Sequence, residues 1–347
     1  MIFVTGGTGL LGSHILFDLV KRGDKVRALK RAGSNTERTR EVFSFYSDDY
    51  NSLFDKIEWV EGDILDYDSL LPILDRVSHI YHAAAIVSFD VRNRAGIIRD
   101  NSEGTSNIVD AAIEKGGIKL CHVSSIATIG TPQKGEAANE EHVWTGDECS
   151  AYSESKFLSE MEVWRGIYSG LDAVIINPSV ILGPGNWNRG SSSIFKIVWN
   201  GLKFYTRGSN GFVDVRDVSR AAYMLMENNS WKKVKNQRFI ISAENIKFRD
   251  LFYMMADALK AKRPKICAGD IFLGMGWRVA RVISLLTNKS PFLTKESVRT
   301  SSSLNRYDGS KISSFIDFEY TPVSKAISDT SSIFLKNLES KIKSKDK

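Results

Sequence analysis

Cysteine is scarce in this chain: Cys121, Cys149 and Cys267 are the three in 347 residues. They are too few and too scattered for a disulfide framework or a thiolate metal site, and a reducing compartment follows as the default. Long apolar runs are absent too. Ile271 to Leu286 comes nearest to a membrane segment, but it is too short to span, and Arg278 and Arg281 interrupt it. Met275, Val279, Val282 and Leu286 fall at helical spacing there, which predicts a helix packed on a core or lining a pocket. There is no internal repeat and no low-complexity linker. The first apolar run begins at Met1, which leaves no room for a leader and predicts a cytoplasmic protein. The net charge is +6. Its clearest cluster is the tail, 336–347, read as a solvated, frayed end, so nucleic-acid binding is not expected.

What is present is a soluble globular composition, 42% hydrophobic and 25% charged. That length suits one large α/β unit with a smaller satellite. The organising stretch is Gly6-Gly7-Thr8-Gly9-Leu10-Leu11-Gly12. It follows a short apolar run (Met1 to Val4) and opens an amphipathic one (Leu10 to Lys21). Gly7, Gly9 and Gly12 have the dinucleotide-binding spacing in the strand–turn–helix context it requires. The turn needs glycine backbone angles, the middle glycine lets the chain approach a pyrophosphate, and the last lets helix pack on strand. The helix N-terminus then faces the phosphates.

Further strands are predicted at Lys25 to Lys30, Ile57 to Val60, Ser78 to His82, Lys119 to Val123, Ala173 to Asn177 and Arg238 to Ile241. Helices are predicted at 101–115, 151–168, 193–202 and 218–227, and 248–338 reads as mainly helical with breaks at Pro264, Pro291 and Pro322. Arg31 follows the second strand, with no carboxylate before Glu37, a pattern that favours NADP over NAD. Asp63, after the third strand, either accepts from an adenine amino group or caps the next helix. Ala83, Ala84 and Ala85 would let a flat ligand lie close to the backbone. His82 has no second ligand at usable spacing, so a packed or hydrogen-bonded histidine is expected and no metal site. Tyr152 and Lys156 share a helix face. An ammonium there would lower the phenol's pKa, fitting the tyrosine for proton transfer to a substrate oxygen, which a nearby serine can also hold. A second Tyr-x-x-x-Lys, Tyr307 to Lys311, encloses the turn signal Asp308-Gly309 and reads as chance. Trp187, Trp199, Phe195, Phe204 and Tyr205 suit an apolar or aromatic substrate and ordinary core packing about equally.

Taken together, Thr5 to Gly12, Gly62-Asp63-Ile64, His82 to Ala85, Asn101 with Gly104-Thr105, Ser124-Ser125, Tyr152 with Lys156, Asn177-Pro178-Ser179, Gly183-Pro184-Gly185 and Phe212 to Val218 resemble the extended short-chain dehydrogenase/reductases. These form the NAD-dependent epimerase/dehydratase superfamily, and the dihydroflavonol reductase-like and 3β-hydroxysteroid dehydrogenase-like branch is the most similar. The resemblance implies a doubly wound, mainly parallel seven-stranded Rossmann sheet over 1–182 and 211–243. A smaller, mostly helical substrate lobe would comprise 183–210 and 244–335. It implies Ser125, Tyr152 and Lys156 as the catalytic set, with Lys156 also holding the nicotinamide ribose. Asp63 and Ile64 would flank adenine, Ala83 to Ala85 would line the cofactor, and Pro178, Ser179 and Val180 would close on the nicotinamide. The activity implied is NADP(H)-dependent interconversion of a ketone or aldehyde with its alcohol, with NAD as the alternative cofactor. A sugar-nucleotide epimerase or dehydratase and a non-catalytic cofactor-binding regulator are the competing readings. Homodimers are frequent in that superfamily.

Overall fold

The computed structural model of the chain describes residues 1–87, 94–133, 135–146, 149–269, 298 and 301–343. In chain order, the first half runs β1 (Ile2–Thr5), α1 (Leu10–Lys21), β2 (Val26–Lys30), α2 (Glu37–Ser44), α3 (Tyr50–Phe54), β3 (Ile57–Glu61), α4 (Tyr67–Ile73), β4 (His79–His82), α5 (Arg94–Lys115), β5 (Lys119–Val123) and α6 (Ala151–Tyr168). The second half runs β6 (Asp172–Pro178), β7 (Val180–Leu182), α7 (Ser193–Trp199), β8 (Phe204–Tyr205), β9 (Ser209–Asp214), α8 (Val215–Met226), α9 (Asn228–Val234), β10 (Gln237–Ile241), β11 (Glu244–Lys247), α10 (Phe248–Ala258), β12 (Ile266–Cys267) and α11 (Val323–Lys343).

Seven strands form the main sheet in the order β3-β2-β1-β4-β5-β6-β10, and every pairing in it is parallel. Side chains alternate between two cores because successive residues of a strand point to opposite faces. Val4, Ala28, Tyr81, Cys121, Val174 and Ile176 meet one core. Phe3, Leu29, Ile80, Leu120 and Ile175 meet the other. The order reverses between β1 and β4, and such a switch point is where an open α/β sheet parts at its carboxyl end to admit a ligand.

α5 begins at Arg94, seven residues before the predicted start. Two of its small residues serve the packing. Asn101 bonds both backbone groups of Ile86, at 2.7 and 3.1 Å. At Gly104 a Cβ would lie 2.5 Å from Ile64 Cδ1, so only glycine lets the segment after β3 close on the helix.

The satellite lobe holds a three-stranded sheet, β11-β9-β7, and the two-stranded β12-β8. Strand β9 pairs antiparallel with β11 and parallel with β7. The lobe's core gathers Leu182, Trp187, Phe195, Val198, Leu251, Met255 and Phe334. Trp187 packs edge-on to both Phe195 and Phe334, and Trp199 edge-on to Phe334. Trp187 and Phe195 are buried in this core, whereas Trp199 is 43% and Phe204 37% exposed, so core packing accounts for the first two alone. The helix read as ending near 338 continues to Lys343. Apolar packing of Phe334 and Leu338 and the bonds of Asn337 and Lys341 to Glu41, 3.0 and 2.9 Å, hold it on α2, so the frayed tail expected from 336 does not begin there. The predicted helix at 271–286 lies outside the described residues. Among the described residues, no helix is long and apolar enough to cross a membrane.

Candidate active site

The glycine turn is closed by its own backbone. Gly6 has φ +72°, a left-handed conformation that a side chain disfavours. Gly9 N–H donates to Gly6 O at 2.9 Å, and Gly9 itself caps α1 in an extended conformation. A Cβ on Gly6 would sit 2.6 Å from the Ala83 carbonyl carbon. A Cβ on Gly12 would sit 2.7 Å from Gly6 C and nearer still to Gly6 O. The turn after β1 and the Ala83–Ala85 turn after β4 are therefore in van der Waals contact across the switch point. Leu10 meets the 183–185 turn, where a Cβ on Gly185 would lie 2.8 Å from Leu10 Cδ1. This cradle of bare backbone at a helix N-terminus fits a dinucleotide pyrophosphate. The sequence reading passed over Thr39, on α2, whose hydroxyl donates to Gly7 O at 3.0 Å and ties that helix to the turn. A polar-to-backbone bond between distant segments leaves no periodic signal.

His82 is fully buried and bonded on both sides, to Thr5 Oγ1 at 2.7 Å and Thr105 Oγ1 at 3.1 Å. Burial first, and then the Lys156 ammonium, lower it to about 3. It works as a brace between β1, β4 and α5. No group of three or more metal-capable side chains occurs among the described residues.

At the other end of the cleft, Arg31, Ala32, Gly33 and Ser34 face Glu61, Gly62, Asp63, Asp66 and Ser69 around a cavity of about 780 Å³. Arg31 and Asp63 thus share the space where the sequence placed the adenosine. Glu61 and Asp66 enter the same space unforeseen. The alternative role for Asp63 goes to a neighbour: Asp66 caps α4 by accepting from Ser69 N at 3.3 Å. The Asp63 carboxylate accepts from Leu65 N, at 3.1 Å.

Ser125, Tyr152 and Lys156 come together where β5 ends and α6 begins. Ser150 caps α6 by accepting from Ser153 N at 2.7 Å, which starts the helix where Tyr152 and Lys156 share its inner face. Ser125 is 8% exposed; its Oγ accepts from Ala127 N at 3.1 Å, and its hydroxyl hydrogen-bonds with Tyr152. Burial raises the Tyr152 phenol and a hydrogen bond with Ser125 draws it back down. The net shift in the resting protein is upward, against the lowering expected from Lys156. The Lys156 ammonium, 4% exposed, donates to Val123 O at 2.6 Å. Burial lowers it to about 8, opposed by Glu160. Pro178 and Ser179 are buried beside this cluster, with Ser179 N donating to Ile241 O at 3.0 Å and its hydroxyl without a partner. The second Tyr-x-x-x-Lys is not a helical pair. Tyr307 bridges Ala138, whereas Lys311 opens a short 3₁₀ turn and donates to Arg238 O at 3.0 Å.

A parallel sheet with this switch point, a glycine cradle there and a tyrosine–lysine helix beside it define a dinucleotide-binding oxidoreductase fold. The family model for the NAD dependent epimerase/dehydratase family matches residues 2–241. Among curated proteins, the chain is 27% identical over 333 residues to the "Putative dihydroflavonol 4-reductase" of Synechocystis sp., covering 94% of this chain and 92% of that one. It is 24% identical over 244 residues to the cinnamoyl-CoA reductase CAD2 of Medicago truncatula, covering 66% of this chain and 73% of that one. The crystal structure of gox2253 superposes with a TM-score of 0.79 at 26% identity, covering 97% and 98% of the two chains. The chain belongs to the NAD-dependent epimerase/dehydratase family, the extended short-chain dehydrogenase/reductases, as an NAD(P)-dependent enzyme of its reductase group.

Proposed function

We propose that this protein is an NADP(H)-dependent reductase of a ketone or aldehyde, working through Ser125, Tyr152 and Lys156. The supporting observation is the pairing of the Ser125 and Tyr152 hydroxyls at the carboxyl end of β5, with the Lys156 ammonium one helical turn further along. A nicotinamide cofactor, when bound, would supply the hydride for the carbonyl carbon. Tyr152 gives its phenolic proton to the carbonyl oxygen as charge develops there. Ser125, its Oγ already accepting from Ala127 N, directs its own proton to the same oxygen. Lys156 would hold the nicotinamide ribose, Gly6 to Gly12 would take the pyrophosphate, and Ala83 to Ala85 with Pro178 to Val180 would line the nicotinamide's place. Relatives named as dihydroflavonol and cinnamoyl-CoA reductases support a carbonyl substrate.

The test is NADPH oxidation by the purified protein against aromatic ketones, dihydroflavonols, 3-ketosteroids, thioesters, simple aldehydes and sugar nucleotides. Turnover with a carbonyl, faster with NADPH than NADH, is the expected result. Product from a sugar nucleotide without net oxidation would replace this reading with an epimerase or dehydratase. Cofactor binding without product from any substrate would favour a regulator.

Arg31 gives a separate check on the cofactor. A charge-assisted bond to a 2′-phosphate contributes about 1.5–3 kcal/mol. Arg31→Ala is therefore expected to raise the Kd for NADPH about 10- to 100-fold and to leave that for NADH within about twofold. An equal change for both cofactors would remove Arg31 from phosphate recognition.

A further inference from the structure

We infer that Glu160, which the sequence reading did not single out, is the positioning residue of this active site: its carboxylate locks together the strand ends that carry Ser125 and Asn177, one helical turn from Lys156. The inference rests on the proposed Ser125–Tyr152–Lys156 assignment for its kinetic consequences alone.

Glu160 lies one turn past Lys156 on α6 and is fully buried. A carboxylate placed there is costly unless it is richly bonded. Donors surround it. Ser124 Oγ at 2.6 Å, Thr128 Oγ1 at 2.7 Å and Asn177 Nδ2 at 2.8 Å reach Oε2. Arg238 Nη1 at 3.1 Å and Trp164 Nε1 at 3.4 Å reach Oε1. These donors come from the end of β5, the turn after it, the end of β6, β10 and α6 itself. Ser124 immediately precedes Ser125, and Thr128 closes the 3₁₀ turn that Ser125 caps. Asn177 immediately precedes the Pro178–Val180 turn. One carboxylate thus sets the spacing between the serine and the turn proposed to close on the nicotinamide. Ordinary core polar groups bond a neighbour or two; this one joins the carboxyl ends of β5 and β6 to a guanidinium that reaches it from β10.

Its charge also reaches Lys156, where it opposes the burial that lowers the amine to about 8. The other titratable groups around that amine carry no charge to replace it. His82 on β4 and His122 on β5 are both pushed low by burial, with the ammonium itself adding to the effect. The Tyr152 phenol is raised, hence neutral. Arg238 is the cation on the far side of Glu160, and it is anchored by the carbonyls of Glu140 and His142.

The experiment titrates Lys156 directly in the resting full-length protein by ¹³Cε NMR, the signal being identified by its loss in Lys156→Arg. In Glu160→Gln the midpoint is expected to fall by about one pH unit or more from the wild-type value, and the alkaline limb of kcat to move with it. Ser124→Ala keeps every charge. It is expected to leave the Lys156 midpoint in place and to lower kcat about tenfold, with the KM for NADPH within about threefold. Glu160→Asp is expected to hold the midpoint within about half a unit while losing kcat, because the shorter arm cannot reach all its donors. An unmoved midpoint in a folded Glu160→Gln, or an equal fall in the Asp and Gln variants, overturns the charge role. Full kcat in both Ser124→Ala and Glu160→Asp overturns the positioning role. A failed catalytic assignment looks different: turnover survives in Tyr152→Phe, while the Lys156 titrations, read without substrate, are unaffected by that result.

Discussion

Tyr152→Phe is expected to lower kcat by about 10²- to 10⁴-fold, the range over which a positioned general acid accelerates proton transfer. The substitution removes one hydroxyl and leaves the ring, so the fold and the Kd for NADPH should stay within about twofold of wild type. Binding is read by cofactor fluorescence and turnover by NADPH oxidation with whichever carbonyl the panel identifies. The pH dependence follows from the environment of the phenol. Burial raises Tyr152 and Ser125 only partly offsets it, so the protonated form persists through neutral pH and above. Reduction, which consumes that proton, should be flat across neutral pH and fall on the alkaline side. Alcohol oxidation, which needs the phenolate, should rise with pH over the same range. Normal turnover in Tyr152→Phe, or a reduction rate that climbs with pH, would remove the tyrosine from the acid role.

Gly12→Ala is expected to disable cofactor binding by a different route. The new Cβ would meet Gly6 O and, at 2.7 Å, Gly6 C. Both are backbone atoms of a turn already fixed by the Gly9 N–H bond to Gly6 O, so no flexible side chain can yield. Overpacking of this kind costs about 1–3 kcal/mol, and more against backbone. The Kd for NADPH should rise about 100-fold or more, equivalent to about 2.7 kcal/mol, with a lower Tm. Gly9→Ala provides the contrast. Its φ is −85° and the nearest foreign atom to a Cβ is Gly6 O at 3.2 Å. It should keep Tm near wild type while still weakening NADPH, because the methyl group would occupy the pyrophosphate's approach. Equal loss of Tm in both variants would mean that the two glycines serve the fold alone.

The main sheet was legible in the sequence because its strands are short apolar runs ending in glycine, alanine or serine, and the helices between them carry a helical period. β5 and α6 have the bounds that the pattern predicts. The pairing of the satellite sheets was not legible: Val180–Leu182, Ser209–Asp214 and Glu244–Lys247 meet across about thirty residues of intervening chain, and nothing local marks which strand joins which. The shared helix face of Tyr152 and Lys156 was legible through spacing, but their electrostatics were not. The sequence suggests an ammonium lowering a phenol; burial, which no motif encodes, raises it. Glu160 escaped notice for a related reason. It looks like one more helical glutamate until the fold brings Ser124, Asn177 and Arg238 around it.

The place of β10 in the sheet also bears on how the protein is made. Synthesis proceeds from the N-terminus and parallel pairing must wait for its partner. A nascent chain that has emerged only as far as 236 possesses β1 to β6, yet β6 is still an edge, and its residues Ala173 to Pro178 are all buried in the finished protein. Such an apolar edge invites pairing with another chain. At that stage the carboxylate on α6 also lacks its guanidinium. The arrival of Gln237–Ile241 covers the edge through five register pairs and delivers Arg238 in the same event. Ribosome-bound or truncated chains ending before 237 should therefore need a chaperone, and the hydrogen-bond set around Glu160 is complete only when β10 docks.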